Sequence, residues 1–114
     1  KHRTVSVRMT PLDDEADWKS FSGQVLIKLD VEGSELAFLR GAERLIRHHR
    51  PLVILEINPT TASAAGYTIS DLLDRLDGLG YRRFAEIDQY PTTISRSAVR
   101  LEPQRNLVAL PSPQ

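Results

Sequence analysis

Two short apolar runs, residues 25–29 and 52–57, set the strongest limit on what this chain can fold into. Val25-Leu26-Ile27-Lys28-Leu29 and Leu52-Val53-Ile54-Leu55-Glu56-Ile57 are the length of strands, and they lack the polar alternation of a half-exposed one. Such runs fit strands covered on both faces, as in a parallel sheet. Each is followed by apolar residues at helical spacing. Leu36, Leu39, Ala42, Leu45 and Ile46, widened by Phe38, follow the first, and Ile69, Leu72, Leu73, Leu76 and Leu79 follow the second. The alternation predicts an α/β fold: a mostly parallel sheet with helices on its faces.

Local signals place the remaining boundaries. Residues 4–9 alternate as a half-exposed strand, and residues 13–21 are polar enough for a loop or one short helix. Gly33 or Ser34 caps the first helix, Glu35 suits its positive end, and His48, His49 and Arg50 suit its negative end before Pro51. Asn58-Pro59 closes the second run, residues 60–67 read as a loop, and Thr68 with Asp71 forms a capping pair for the next helix. Gly78 and Gly80 end that helix, residues 83–87 read as a strand, and residues 106–110 as a final one. The connection over residues 88–103 contains no crossover helix, which predicts an antiparallel final pair.

Composition narrows the function classes. With 114 residues, 40% apolar and 26% charged, the chain suits one modest core. Fifteen basic residues balance fifteen acidic ones, so no global field draws it to nucleic acid or to an anionic membrane. The absence of cysteine removes disulfides, thiolate metal sites and cysteine nucleophiles, and is compatible with a cytoplasmic location. No apolar stretch approaches the roughly 20 residues of a membrane span.

The chemistry points to the end of the first run, where Asp30, Glu32 and Glu35 place three carboxylates around Gly33. In open α/β sheets ligands bind beyond the carboxyl ends of strands. Carboxylates there can accept hydrogen bonds from a hydroxyl, act as a general base or hold a hard cation. They can equally cap the helix start. Glu56, near the end of the next run, is a charge among apolar neighbours and needs a partner or a use. Lys28 either pairs with Glu56 or lies on an exposed edge.

Several other features favour simpler readings. Adjacent helical residues point about 100° apart, so His48 and His49 cannot share a metal ion on a regular helix. Trp18 and Phe21 read as loop packing rather than as a lid, and Arg96, Arg100 and Arg105 as a solvated basic loop. No Gly-x-Gly-x-x-Gly or phosphate-binding loop occurs.

The sequence also resembles a family. Ile27-Lys28-Leu29-Asp30-Val31-Glu32-Gly33-Ser34-Glu35, Leu39-Arg40-Gly41-Ala42 and the segment from Arg50-Pro51 to Glu56 are similar, in order, to signatures of the FkbM-type S-adenosylmethionine-dependent methyltransferases. Thr10-Pro11-Leu12-Asp13-Asp14 resembles an upstream T-L-D-D segment with Pro11 inserted, and residues 106–111 resemble the family's closing strand. The resemblance implies a class I methyltransferase, Rossmann-like fold ending in an antiparallel hairpin. It implies S-adenosylmethionine as cofactor and a small-molecule or glycan hydroxyl as acceptor. Asp30, Glu32 and Glu56 fall at the catalytic positions by that likeness.

The family's glycine-rich cofactor loop lies in an N-terminal half that this sequence lacks. Residues 1–114 are therefore expected to be one partial domain, the C-terminal half of the catalytic unit, with that half as its partner and no activity alone. The cofactor-binding residues stay unassigned, and no metal is expected. Two other classes remain open. One is a non-catalytic binding or scaffolding module, and the other is a magnesium-dependent enzyme using the carboxylate cluster.

Overall fold

The computed structural model describes residues 12–15, 17–29 and 32–113. The strand expected over residues 4–9 lies outside them. In chain order the elements are α1 (Leu12–Glu15), a 3-10 turn (Trp18–Ser20), β1 (Leu26–Lys28), α2 (Glu35–Gly41), α3 (Glu43–His49), β2 (Leu52–Ile57), α4 (Pro59–Ala64), α5 (Ile69–Gly78), β3 (Tyr81–Glu86), β4 (Ile94–Ser95), a second 3-10 turn (Arg96–Ala98) and β5 (Arg105–Pro111).

The five strands form one sheet in the order β1-β2-β5-β3-β4. Only β1 and β2 pair in parallel, with Lys28 opposite Ile54. The mostly parallel sheet expected from the sequence is therefore corrected. β2 and β3 run in the same direction, but β5 enters between them and pairs antiparallel with both. With no crossover helix between β3 and β5, the last strand returns antiparallel, as anticipated. By doing so it converts one parallel contact into two antiparallel ones. The two neighbours of β5 are thus not sequential with it, and a reading of local pattern does not register that.

The helices also lie on one face rather than two. In β2, Val53, Leu55 and Ile57 are fully buried, whereas Leu52, Ile54 and Glu56 are only half buried. The buried set joins Ile27, Phe84, Leu107 and Ala109 on one side of the sheet and packs under Leu39, Leu45, Ile46, Leu72, Leu73 and Leu76. On the opposite side Leu26 is 59% exposed and Lys28 is exposed. An unbroken apolar run conceals this period-two burial, because hydropathy alone cannot separate a half-covered face from a buried one.

Two local outcomes differ from expectation, and a third agrees with it. The stripe from Leu36 to Ile46 is two helices, not one, with the break at Ala42 (φ −118°, ψ 18°). Asp13 explains the second start: its carboxylate accepts the backbone N–H groups of Arg44 and Leu45 at 2.8 and 2.9 Å, capping α3 from 31 residues away. Residues 59–64 are helical, not loop, because Asn58 is an N-cap that accepts from Thr61 N–H at 3.3 Å and Pro59 occupies the first helical position. Thr68 and Asp71 do form the anticipated reciprocal capping box, at 3.0 and 2.9 Å.

Candidate functional site

β1 and β2 are parallel, so their carboxyl ends lie at one end of the sheet, where the acidic residues were expected to gather. Asp30 lies outside the described residues. Glu32 is in the turn after β1, exposed, and makes no side-chain hydrogen bond among the described residues. Gly33 completes that turn at φ +80°, a conformation suited to glycine. A Cβ there would stand 3.4 Å from the Thr61 carbonyl and 3.5 Å from the Ala65 Cβ, so the turn presses against α4.

The third acid of the run behaves differently. Glu35 is only 3% exposed, and its Oε1 accepts both the Gly33 N–H at 3.1 Å and the Tyr67 hydroxyl at 2.9 Å. This carboxylate staples the acidic turn to the segment joining α4 and α5. Burial, followed by the hydrogen bond to Glu35 and its charge, pushes the Tyr67 phenol up to about 12. Sequence reasoning placed Glu35 in the acidic cluster and at the positive end of the helix, not in the buried core. Its spacing to Leu39 and Ala42, one turn and two turns on, was the available signal that it faces inward.

Glu56 is half buried, on the sheet face away from the helices, and sits opposite Asn106 in β5. Its Oε2 accepts from the Gln104 amide at 2.7 Å, which supplies the partner that a charge in an apolar strand requires. Lys28 is on an exposed edge strand and makes no ion pair with Glu56 among the described residues. Glu32 and Glu56 therefore share an end of the sheet, and Glu56 is engaged there by Gln104.

Beside the acidic turn, between α2 and α5, lies an open groove of about 620 Å³ whose walls include Gly33, Leu36, Arg40, Gly66, Tyr67 and Arg75. Arg75 donates to Glu43 at 2.6 Å, yet its Nε is enclosed without a hydrogen-bond partner among the described residues. Asp71 and Asp74 also border the groove. Asp71 is engaged in the capping box, and Asp74 is paired with Arg96. The volume is that of a small-molecule site, and the walls are polar for one. None of this groove's charged residues was singled out for it from the sequence, because α2 and α5 supply them from separate segments.

The remaining candidates are structural. His49 Nε2 lies 2.6 Å from the Trp18 carbonyl oxygen, and His48 meets the Trp18 ring edge-on with 5.5 Å between centroids. Trp18 is buried and its indole N–H donates to the Asp13 carbonyl at 3.1 Å, while Phe21 lies exposed against His49. No cluster of three metal-ligating side chains occurs among the described residues. Arg105 is a bidentate partner of Glu86, at 2.7 and 3.0 Å. That pairing holds the Glu86 carboxyl below its usual range. No helix among the described residues is long and apolar enough to cross a membrane.

A family model described as the methyltransferase FkbM domain matches residues 1–83, from before α1 into β3. No curated protein matches the chain, and no solved structure does.

Proposed function

This chain belongs to the family of the methyltransferase FkbM domain, and from that premise we propose that it forms part of an S-adenosylmethionine-dependent enzyme that methylates a hydroxyl of a small molecule or glycan. The observation that carries the reading is the family match, which spans the acidic turn, β2 and both walls of the groove. Asp30, Glu32 and Glu56 are the residues assigned to the reaction, and of these Glu32 and Glu56 lie at the carboxyl end of the parallel pair.

The described residues fit the acceptor side of such a site. Glu32 stands exposed on a turn that Gly33 folds tightly and Glu35 holds in place. A polar groove large enough for a small molecule opens beside it. When bound, S-adenosylmethionine supplies a methyl group that is already activated. The protein's own task is then to orient an acceptor hydroxyl and to take its proton, with positioning as the larger share of the acceleration.

Two calorimetric titrations of the intact protein test the assignment, one with S-adenosylmethionine and one with magnesium. Saturable heat with the first supports methyl transfer. Heat with magnesium alone would move the acidic cluster to metal-dependent chemistry, and heat with neither would leave a binding module. In an intact protein that forms methylated product, Asp30→Asn and Glu56→Gln should each lower turnover. Unchanged turnover in both would overturn the residue assignment.

A further inference from the structure

The groove between α2 and α5 has a polarity that its own residues do not satisfy. Of its two carboxylates, Asp71 accepts the Thr68 N–H through Oδ2 at 2.9 Å and Asp74 pairs with Arg96. Its two guanidinium groups are not equally occupied. Arg40 is exposed and makes no ion pair among the described residues, and Arg75 reaches Glu43 through Nη2 while its Nε stays buried and unpartnered. The Arg75 Nε is sealed from the groove, so among the described residues Arg40 is the guanidinium that offers free donors to an oxyanion there.

Tyr67 adds directional chemistry. Its proton is committed to Glu35 at 2.9 Å, so the phenolic oxygen presents lone pairs to whatever occupies the groove. Its raised pKa, about 12, keeps that proton in place throughout the physiological range. The site thus reads a hydroxyl donor at Tyr67 and an oxygen acceptor at Arg40. Leu36, Ala37 and Ala65 provide a small apolar wall for the C–H face of a ring.

We propose that this groove binds a hydroxylated anion, a carboxylate- or phosphate-bearing polyol, with the exposed Arg40 receiving the anionic group and Tyr67 accepting from a hydroxyl. The role of that ligand as methyl acceptor rests on the methyl-transfer reading above, because Gly33 joins the groove to the acidic turn. The binding itself does not depend on it. Guanidinium groups suit carboxylate and phosphate alike, so the shared chemistry is an oxyanion next to hydroxyls.

The test is binding by isotope-labelled NMR of the intact protein, with D-glucuronate, D-glucose 6-phosphate and D-glucose as probes and no cofactor present. At least one of the two acids should shift the amide signals of Gly33, Gly66 and Tyr67. It should bind about tenfold or more tighter than glucose, the effect expected of a charge-assisted bond. Arg40→Ala, at an exposed position, should remove that preference, whereas Tyr67→Phe should weaken the acid and glucose alike. Failure of both acids to shift the groove amides would overturn the proposal. So would equal binding of glucose, or an unchanged preference in Arg40→Ala. Acid binding in a protein that gives no heat with S-adenosylmethionine would keep this inference and remove the methyl-transfer reading. Heat with S-adenosylmethionine but no acid binding would do the reverse.

Discussion

Asp13 is the clearest place to test how this fold is held, because one side chain explains a break in a helix 31 residues away. Its two carboxylate oxygens accept the Arg44 and Leu45 N–H groups, which are two of the donors that the start of α3 leaves without intrahelical partners. The two bonds are not worth the same. The Arg44 contact is exposed, so water replaces it in Asp13→Ala at a cost of about 0.5 kcal/mol, the low end for a hydrogen bond. The Leu45 contact is part-buried, so its loss leaves a donor poorly satisfied, at roughly 1–2 kcal/mol. Together they give about 2 kcal/mol. A chain of 114 residues unfolds with an entropy of about 0.24 kcal/mol/K, so Tm should fall by about 8 °C. Asp13→Asn keeps one acceptor oxygen and should lose about half of that. Calorimetric melting of the three proteins at neutral pH measures both numbers. A drop of less than about 2 °C in Asp13→Ala would refute the capping argument, and so would an asparagine variant as unstable as the alanine one.

Four further outcomes follow from other contacts of the fold. Glu35→Gln keeps Oε1 and both of its bonds, so it should cost less than about 1 kcal/mol, whereas Glu35→Leu strands the Gly33 N–H and the Tyr67 hydroxyl and should cost about 2–3 kcal/mol. In the glutamine variant, absorbance titration should show the Tyr67 phenolate forming below its present value of about 12 but above 10.0, because burial, the larger cause, remains. Gly33→Ala should shift the urea midpoint down at constant slope by about 1–2 kcal/mol, since φ is +80° and the new Cβ would crowd the Thr61 carbonyl. An unshifted midpoint there would contradict the conformation of the turn. Glu86 has its carboxyl lowered first by its hydrogen bond to Arg105. A lowered folded-state value means stability that is present above the ordinary 4.5 and lost as pH falls through the folded-state value. Glu86→Gln should therefore flatten the acid limb of the stability curve and leave its alkaline limb in place.

Much of the fold was legible because it is local. Val53, Leu55 and Ile57 announce a strand, Thr68 and Asp71 announce a helix start, and the helix-free stretch before β5 announces an antiparallel return. What was not legible is long-range or double-valued. Nothing near Asn106 says that β5 will separate β2 from β3, because that choice is made by which apolar faces can be covered together. Asn58-Pro59 stops a strand and starts a helix with the same two residues, and only the second role appears once α4 exists. The break at Ala42 depends on Asp13, which a window drawn around residues 36–46 does not contain. The groove needed α2 and α5 side by side before Arg40 and Tyr67 had a common purpose.

The acids of the site separate by how their lone pairs are used rather than by how close they lie in sequence. A general base needs an accessible oxygen with capacity to accept a proton. Glu35 is buried, and its Oε1 already takes two hydrogen bonds, so a substrate hydroxyl would have to displace the contacts that fix the turn. Glu56 is half buried, and one of its oxygens is taken by Gln104. Glu32 alone among these three is exposed and without a side-chain partner among the described residues. Its position depends on Gly33, whose N–H is held by Glu35, which in turn orients Tyr67 in the groove. A substitution at Glu35 should thus disturb both the turn that carries Glu32 and the hydroxyl that reads the ligand. A substitution at Glu32 should leave stability and groove binding intact and alter only the reaction. That division of effects distinguishes a residue that positions the site from one that acts in it.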